Sequence, residues 1–222
     1  MIEFKRVSKS YGKDNKALHD VSFSVNAGEL LFLTGHSGAG KTTILKLIMR
    51  METISYGQAS VNGYELRSLN AGSLPEYRKT LGMIFQDHQL LNNRTIIENI
   101  ALSLLIRGYS KAHSLKQSRA VLNQVGLAEK ADFYPHELSS GQQQRVGIAR
   151  ALVAKPDIIL ADEPTGNLDP DLSLELMELL LEINDAGTTV VIATHDLFLI
   201  KKLRKRVLVL DSGKLIDDYR PA

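Results

Sequence analysis

Leu30-Leu31-Phe32-Leu33-Thr34-Gly35-His36-Ser37-Gly38-Ala39-Gly40-Lys41-Thr42-Thr43-Ile44 sets an unbroken apolar run, a glycine-rich turn and a helical pattern in immediate succession. An apolar run with no polar interruption fits a strand buried on both faces, as in a parallel sheet. The stretch from Gly35 to Thr42 fits G-x-x-x-x-G-K-[ST], in the strand–loop–helix setting that pattern requires. Its glycines let backbone N–H groups turn inward around phosphate oxygens, and the N-terminus of the following helix adds partial positive charge. Gly35, His36, Ser37, Gly38, Ala39, Gly40, Lys41, Thr42 and Thr43 are therefore the expected nucleotide cradle, with His36 at a free position of the pattern. Lys41 is expected to reach the β- and γ-phosphates, and the Thr42 hydroxyl to ligate Mg²⁺.

Further continuous runs follow at Ile158-Ile159-Leu160-Ala161, Val190-Val191-Ile192-Ala193 and Val207-Leu208-Val209-Leu210. Helical patterns separate them. One starts at Asp169-Pro170, with Leu174, Met177, Leu180 and Leu181 as its expected apolar face. Strands alternating with helices imply an α/β fold with a mostly parallel core sheet. Before the glycine-rich loop, Ile2, Phe4 and Val7, then Val21, Phe23 and Val25, read as short strands of an N-terminal β-subdomain. The middle, 87–155, lacks such runs and reads as an inserted helical subdomain between core segments 1–86 and 156–222. There Ser110 is placed to cap a helix carrying Leu115, Leu122 and Val125 on one face, with Gly126 just past its end.

The run ending in Ala161 continues into Asp162-Glu163. Acids at the C-terminal edge of a parallel sheet face the ligand crevice. Such a pair often only caps a helix or meets solvent. Beside a phosphate loop, Asp162 becomes the expected Mg²⁺ partner and Glu163 the group that polarises an attacking water.

Composition narrows the classes. The chain has 222 residues, 44% hydrophobic and 23% charged, which allows one folded domain with an embedded subdomain. A net charge of +2 is too weak to predict nucleic-acid binding. The absence of cysteine excludes disulfides and thiolate chemistry. No apolar stretch is long enough for a membrane span, and Met1-Ile2-Glu3-Phe4-Lys5-Arg6 lacks the apolar run of a signal peptide. Any membrane role is expected to come through a partner. The basic cluster Lys201, Lys202, Arg204, Lys205 and Arg206 is read as a solvated helix face, or as a contact for anionic lipid.

Leu138-Ser139-Ser140-Gly141-Gln142-Gln143-Gln144-Arg145 resembles the signature sequence of the ATP-binding-cassette (ABC) ATPases, usually Leu-Ser-Gly-Gly-Gln. Read alone it is a helix N-terminus capped by Ser and running to Ala154 before Pro156. The resemblance spans essentially the whole chain and implies a P-loop fold of ABC type. It also implies that two chains sandwich ATP, each lending Ser139, Ser140, Gly141 and Gln142 to the nucleotide held by the other. Gln86 matches the family's Q-loop glutamine, which senses Mg²⁺ and the attacking water. Gly166-Asn167-Leu168-Asp169 matches the D-loop, which brings Asp169 to the dimer interface. His195 matches the switch histidine that contacts the γ-phosphate, and Tyr11 the aromatic that stacks on adenine. Ser140, in place of glycine, is a departure that restricts the backbone.

Within the family, Gly82-Met83-Ile84-Phe85-Gln86-Asp87-His88-Gln89-Leu90-Leu91 is similar to the cell-division branch. That likeness implies an Mg²⁺-dependent ATPase, peripheral on the cytoplasmic face of the bacterial inner membrane, that drives an FtsX-like integral partner and, through it, the division machinery. His88, Leu90 and Leu91 are the expected exposed partner contacts. ATPases of lipoprotein release or macrolide export share the stretch after Leu160, and a scaffold that uses ATP only to dimerise is the alternative from another class.

Overall fold

The computed structural model describes residues 1–12, 15–166 and 168–221. In chain order the elements are β1 (Ile2–Tyr11), β2 (Asn15–Val25), β3 (Leu30–Thr34), α1 (Lys41–Ile48), β4 (Tyr56–Val61), β5 (Tyr64–Glu65), α2 (Leu74–Lys79), β6 (Leu81–Ile84), α3 (Ile96–Leu105), α4 (Lys111–Gln124), α5 (Ser140–Leu152), β7 (Ile158–Asp162), α6 (Pro170–Asp185), β8 (Thr189–Ala193), α7 (Leu197–Leu203), β9 (Arg206–Asp211) and β10 (Lys214–Tyr219). They make two sheets. One runs β2-β1-β4-β5 and is antiparallel. The other runs β10-β9-β3-β8-β7-β6, parallel except for β10 at its edge.

Successive side chains of a strand point to opposite faces, so each uninterrupted apolar run feeds two cores. Leu31, Leu33, Ile158, Leu160, Val191, Ala193, Leu208 and Leu210 pack with α1 and the antiparallel sheet. Their neighbours Leu30, Phe32, Ile159, Ala161, Val190, Ile192 and Val207 pack under α6 and α7 on the other face. A third core joins α3, α4 and α5. Helix α5 belongs to two of these: Ile148 and Ala151 lie in the sheet core, and Val146 and Ala149, with Val153 just past its end, in the helical one.

The expected apolar faces pack as cores. In α6, Met177 and Leu180 are buried and Leu174 and Leu181 pack half-buried against the same core, with Ser173, Leu176, Ile183 and Asn184 also buried. In α4, Leu122 and the following Val125 are buried and Leu115 packs half-buried beside them, with Ser114 and Ser118 also buried. Ser110 does cap this helix, accepting from the His113 N–H. Two elements differ from expectation. Helix α5 ends at Leu152, short of Ala154. Strand β6 is a fully paired neighbour of β7, although its sequence, interrupted by Gly82, carries no clear strand signal.

Candidate active site

The loop from Gly35 to Gly40 links the end of β3 to the first turn of α1. Glycine is required at both ends of it. Gly35 stands at φ +145, and a Cβ there would lie 2.1 Å from the Leu210 carbonyl oxygen. Gly40 stands at φ +110, and a Cβ would lie 2.9 Å from the Ala17 carbonyl oxygen. The phosphate loop is thus pressed against the end of β9 and against β2, which leaves its other side open. That side faces a cavity of about 470 Å³ lined by His36 to Thr43 together with Gln86, Glu163 and His195.

Inside the loop the Lys41 ammonium donates to the carbonyls of Gly35 at 2.8 Å and His36 at 3.3 Å. It lies 3.6 Å from Glu163 Oε1. The other Glu163 oxygen meets His195 Nδ1 at 2.8 Å. Glu163 therefore sits between two basic groups, with its side chain only 13% exposed. The residue stands at φ +46, in the left-handed region that a non-glycine residue holds only with support from its surroundings. Its N–H donates to the Ala193 carbonyl, which anchors the turn at the end of β7. The Thr42 hydroxyl donates to Asp162 Oδ1 at 3.1 Å. Burial pushes the Asp162 carboxyl above its ordinary pKa, the Thr42 hydrogen bond opposes this, and the Glu163 charge reinforces it. A partly desolvated carboxylate beside a hydroxyl is a hard-oxygen pair suited to a divalent cation. That donor chemistry fits Mg²⁺ at Thr42 and Asp162.

His36, at a free position of the motif, has two partners. Nδ1 contacts the Ser37 carbonyl at 2.7 Å and Nε2 contacts Asp211 Oδ1 at 2.9 Å. Both partners are oxygen acceptors, an arrangement that favours the doubly protonated ring. Its pKa is raised by the Ser37 carbonyl first and Asp211 second, and that of Asp211 is lowered first by the His36 hydrogen bond and then by the Ser212 hydroxyl. No sequence signal links residues 175 positions apart.

The other predicted site residues lie elsewhere. Tyr11 ends β1, with the Lys9 ammonium 4.8 Å from its ring centroid. Ser139 caps α5 through a reciprocal box with Gln142: its hydroxyl accepts the Gln142 N–H at 3.3 Å, and the Gln142 side chain accepts the Ser139 N–H at 3.1 Å. Gly141 is buried where a Cβ would lie 3.1 Å from Leu172 Cδ1 of α6. Ser140 is exposed. Asp169 caps α6 by accepting from the N–H groups of Asp171 and Leu172. Asn167 lies outside the described residues. None of Tyr11, Ser139, Ser140, Gly141, Gln142 or Asp169 lines the cavity formed by the described residues.

Of the expected partner contacts, Leu91 is exposed, whereas His88 and Leu90 are half-buried; Leu90 packs against the helical core. In the basic cluster, Arg206 is occupied by Asp218 at 2.7 Å and by the Ser24 carbonyl at 2.8 Å. Among the described residues no helix is long and apolar enough to cross a membrane.

Residues 18–166 match the family model described as ABC transporter. The chain belongs to the ABC transporter ATPase family. It is similar to the cell division ATP-binding protein FtsE of Haemophilus influenzae, 48% identical over 97% of this chain and 99% of that protein. The FtsE of Bacillus subtilis is 43% identical over 98% of this chain and 96% of that protein. Among solved structures, the dimeric bacterial ABC transporter cassette MJ0796 superposes with a TM-score of 0.92 at 33% identity, covering 100% of this chain and 99% of that one. A post-hydrolysis dimer of the same cassette, bound to ADP and Pi, gives 0.91 at 32% identity, with the same coverage of both chains. The architecture is that of an ABC ATPase, with its antiparallel subdomain and helical segments around the core sheet. The ABC cassette binds ATP and hydrolyses it.

Proposed function

We propose that this ABC ATPase works as a homodimer on the cytoplasmic face of a bacterial inner membrane, driving an FtsX-like integral partner in cell division. The observation that carries the catalytic part is Glu163, held between Lys41 and His195 at the mouth of the phosphate loop. When ATP enters, its phosphates replace the loop carbonyls as partners of Lys41, and the loop N–H groups donate to their oxygens. Glu163 accepts a proton from water as that water attacks the γ-phosphorus. The bond from the γ-phosphorus to the bridging oxygen breaks, and ADP leaves. His195 orients Glu163 and contacts the γ-phosphoryl group. Thr42, Asp162 and Gln86 would hold Mg²⁺, which supplies neutralising charge at the phosphates.

Signature residues lying away from their own chain's cavity support a composite site. In it, Ser139 to Gln142 of one copy close on the nucleotide of the other, and the N-terminus of α5 supplies partial positive charge to the γ-phosphate. Asp169 marks the interface, and Tyr11 stacks on adenine. The segment 87–155 is the part that meets the membrane partner. Leu91, and on the end of α3 Ile106, which is 74% exposed, offer it apolar surface. Similarity to the FtsE proteins over nearly the full chain supports the division role, with control of septal cell-wall hydrolysis as the output.

The decisive experiment pairs chemistry with partner. Glu163→Gln should slow hydrolysis by about 10²- to 10⁴-fold while ATP still binds, and should accumulate an ATP-bound dimer. The same chain should co-purify with the FtsX-like integral partner, and loss of the gene should give filamentous cells. Normal division together with a lipoprotein-sorting defect would move the assignment to lipoprotein release.

A further inference from the structure

His88 joins two parts of the chain that lie 52 residues apart. It follows Gln86 by two positions and stands at φ +60, with Gln89 after it at φ +46. Two successive left-handed residues reverse the chain sharply, and L-residues hold such a turn only when the surroundings support it. Helix α5 supplies that support. The Arg150 guanidinium donates to the His88 carbonyl at 2.8 Å and to the Gln89 carbonyl at 2.5 Å.

The imidazole then lies across the first turns of α5. Nδ1 pairs with Gln144 Oε1, and Nε2 is 3.3 Å from Ser140 Oγ. One neutral tautomer satisfies both contacts: Nδ1–H donates to Gln144, and Nε2 accepts from the Ser140 hydroxyl. Gln144 is 1% exposed, so its end of the link lies in the core. Ser140 is the position where the signature departs from glycine, and glycine could not make this contact.

We infer that His88 is a positioning residue that sets the pose of the α5 N-terminus from the Gln86 loop, with Ser140 closing the link. The inference rests on the composite-site reading above. On that reading Gln86 serves the nucleotide of its own chain, while the α5 N-terminus serves the nucleotide of the second copy. The His88 link therefore runs from one site to the other within a single chain. It makes the two sites respond to ATP together.

The test uses His88→Gly, because glycine accepts the left-handed turn and removes only the imidazole. The turnover number should fall on the order of tenfold, as expected for a misplaced catalytic element. The Hill coefficient for ATP should drop toward that of independent sites. ATP affinity of the monomer should stay within about twofold, because the phosphate loop is untouched. Ser140→Gly should show a smaller loss of about threefold, and the double variant should be no worse than His88→Gly, since both cut one link. His88→Asn, which tolerates the turn and can still donate to Gln144, should keep most of the turnover. An unchanged turnover in His88→Gly, losses that multiply in the double variant, or a matching loss of monomer affinity would each overturn the link.

Dimerisation separates this failure from a deeper one. In the Glu163→Gln background, His88→Gly should raise the ATP concentration needed for dimer formation several-fold. An unshifted midpoint overturns the His88 link alone. A Glu163→Gln chain that stays monomeric in ATP with native His88 overturns the composite-site reading itself.

Discussion

His36 shows what one side chain can do that its motif does not specify. Its imidazole ties the phosphate loop to Asp211 at the end of β9. Its pKa is raised, so its contribution is present below the ordinary imidazole value and is lost as pH rises through the raised one. Asp211 is lowered, so its contribution is present above the ordinary carboxylate value and is lost as pH falls through the lowered one. The pair is intact between those limits, and because both groups are exposed, salt should weaken it. An NMR titration should find His36 above 6.5, and Asp211→Asn should move it back down. The phosphate-loop turn, the acids at the end of β7 and the Ser139 cap of α5 were legible in the sequence because each arrangement sits in consecutive residues. His36 with Asp211 and His88 with Ser140 were not, because their meaning lies in a distant partner. The left-handed turn at Glu163 was also hidden, since nothing about glutamate announces that backbone.

At the scale of elements, α1 carries the phosphate loop at one end and needs its other end closed. The buried Tyr77 hydroxyl of α2 donates to the Ile48 carbonyl, the last of α1. Arg78 donates to the Met49 carbonyl at 3.2 Å and the Arg50 carbonyl at 3.1 Å just beyond. Burial holds the Tyr77 hydroxyl pKa above its ordinary value, which keeps it a donor throughout the physiological range. Tyr77→Phe leaves that carbonyl buried without its partner, which should cost about 1–3 kcal/mol. Urea denaturation should show the midpoint falling with an unchanged slope. None of this was visible beforehand. The short α2 and the strands β4 to β6 carry Gly57, Gly63 and Gly82 within or between them, which blurs their periodicity. The long apolar runs of β3, β7, β8 and β9 were legible because burial on two faces leaves no room for polar residues.

At the scale of the whole molecule, the proposed sites divide their parts between two copies. Lys41→Ala removes the phosphate-loop cation, and Ser139→Arg blocks the surface that the second copy would meet. Each variant alone should hydrolyse little ATP, although Ser139→Arg should still bind it as a monomer. Mixed together, they form heterodimers in which one site carries both defects and the other carries neither. Hydrolysis should therefore return on mixing, and a mixture as inactive as its components rules out shared sites. The sharing of α5 between the sheet core and the helical core has a separate, thermal consequence. Neither body can shed the helix without opening a hydrophobic face of its own, so partial melting gains little. The three helices of the middle segment, although they look like a detachable module, should not melt ahead of the sheet. In scanning calorimetry the monomer should give a single endotherm whose van't Hoff and calorimetric enthalpies agree, as expected when two cores share one beam.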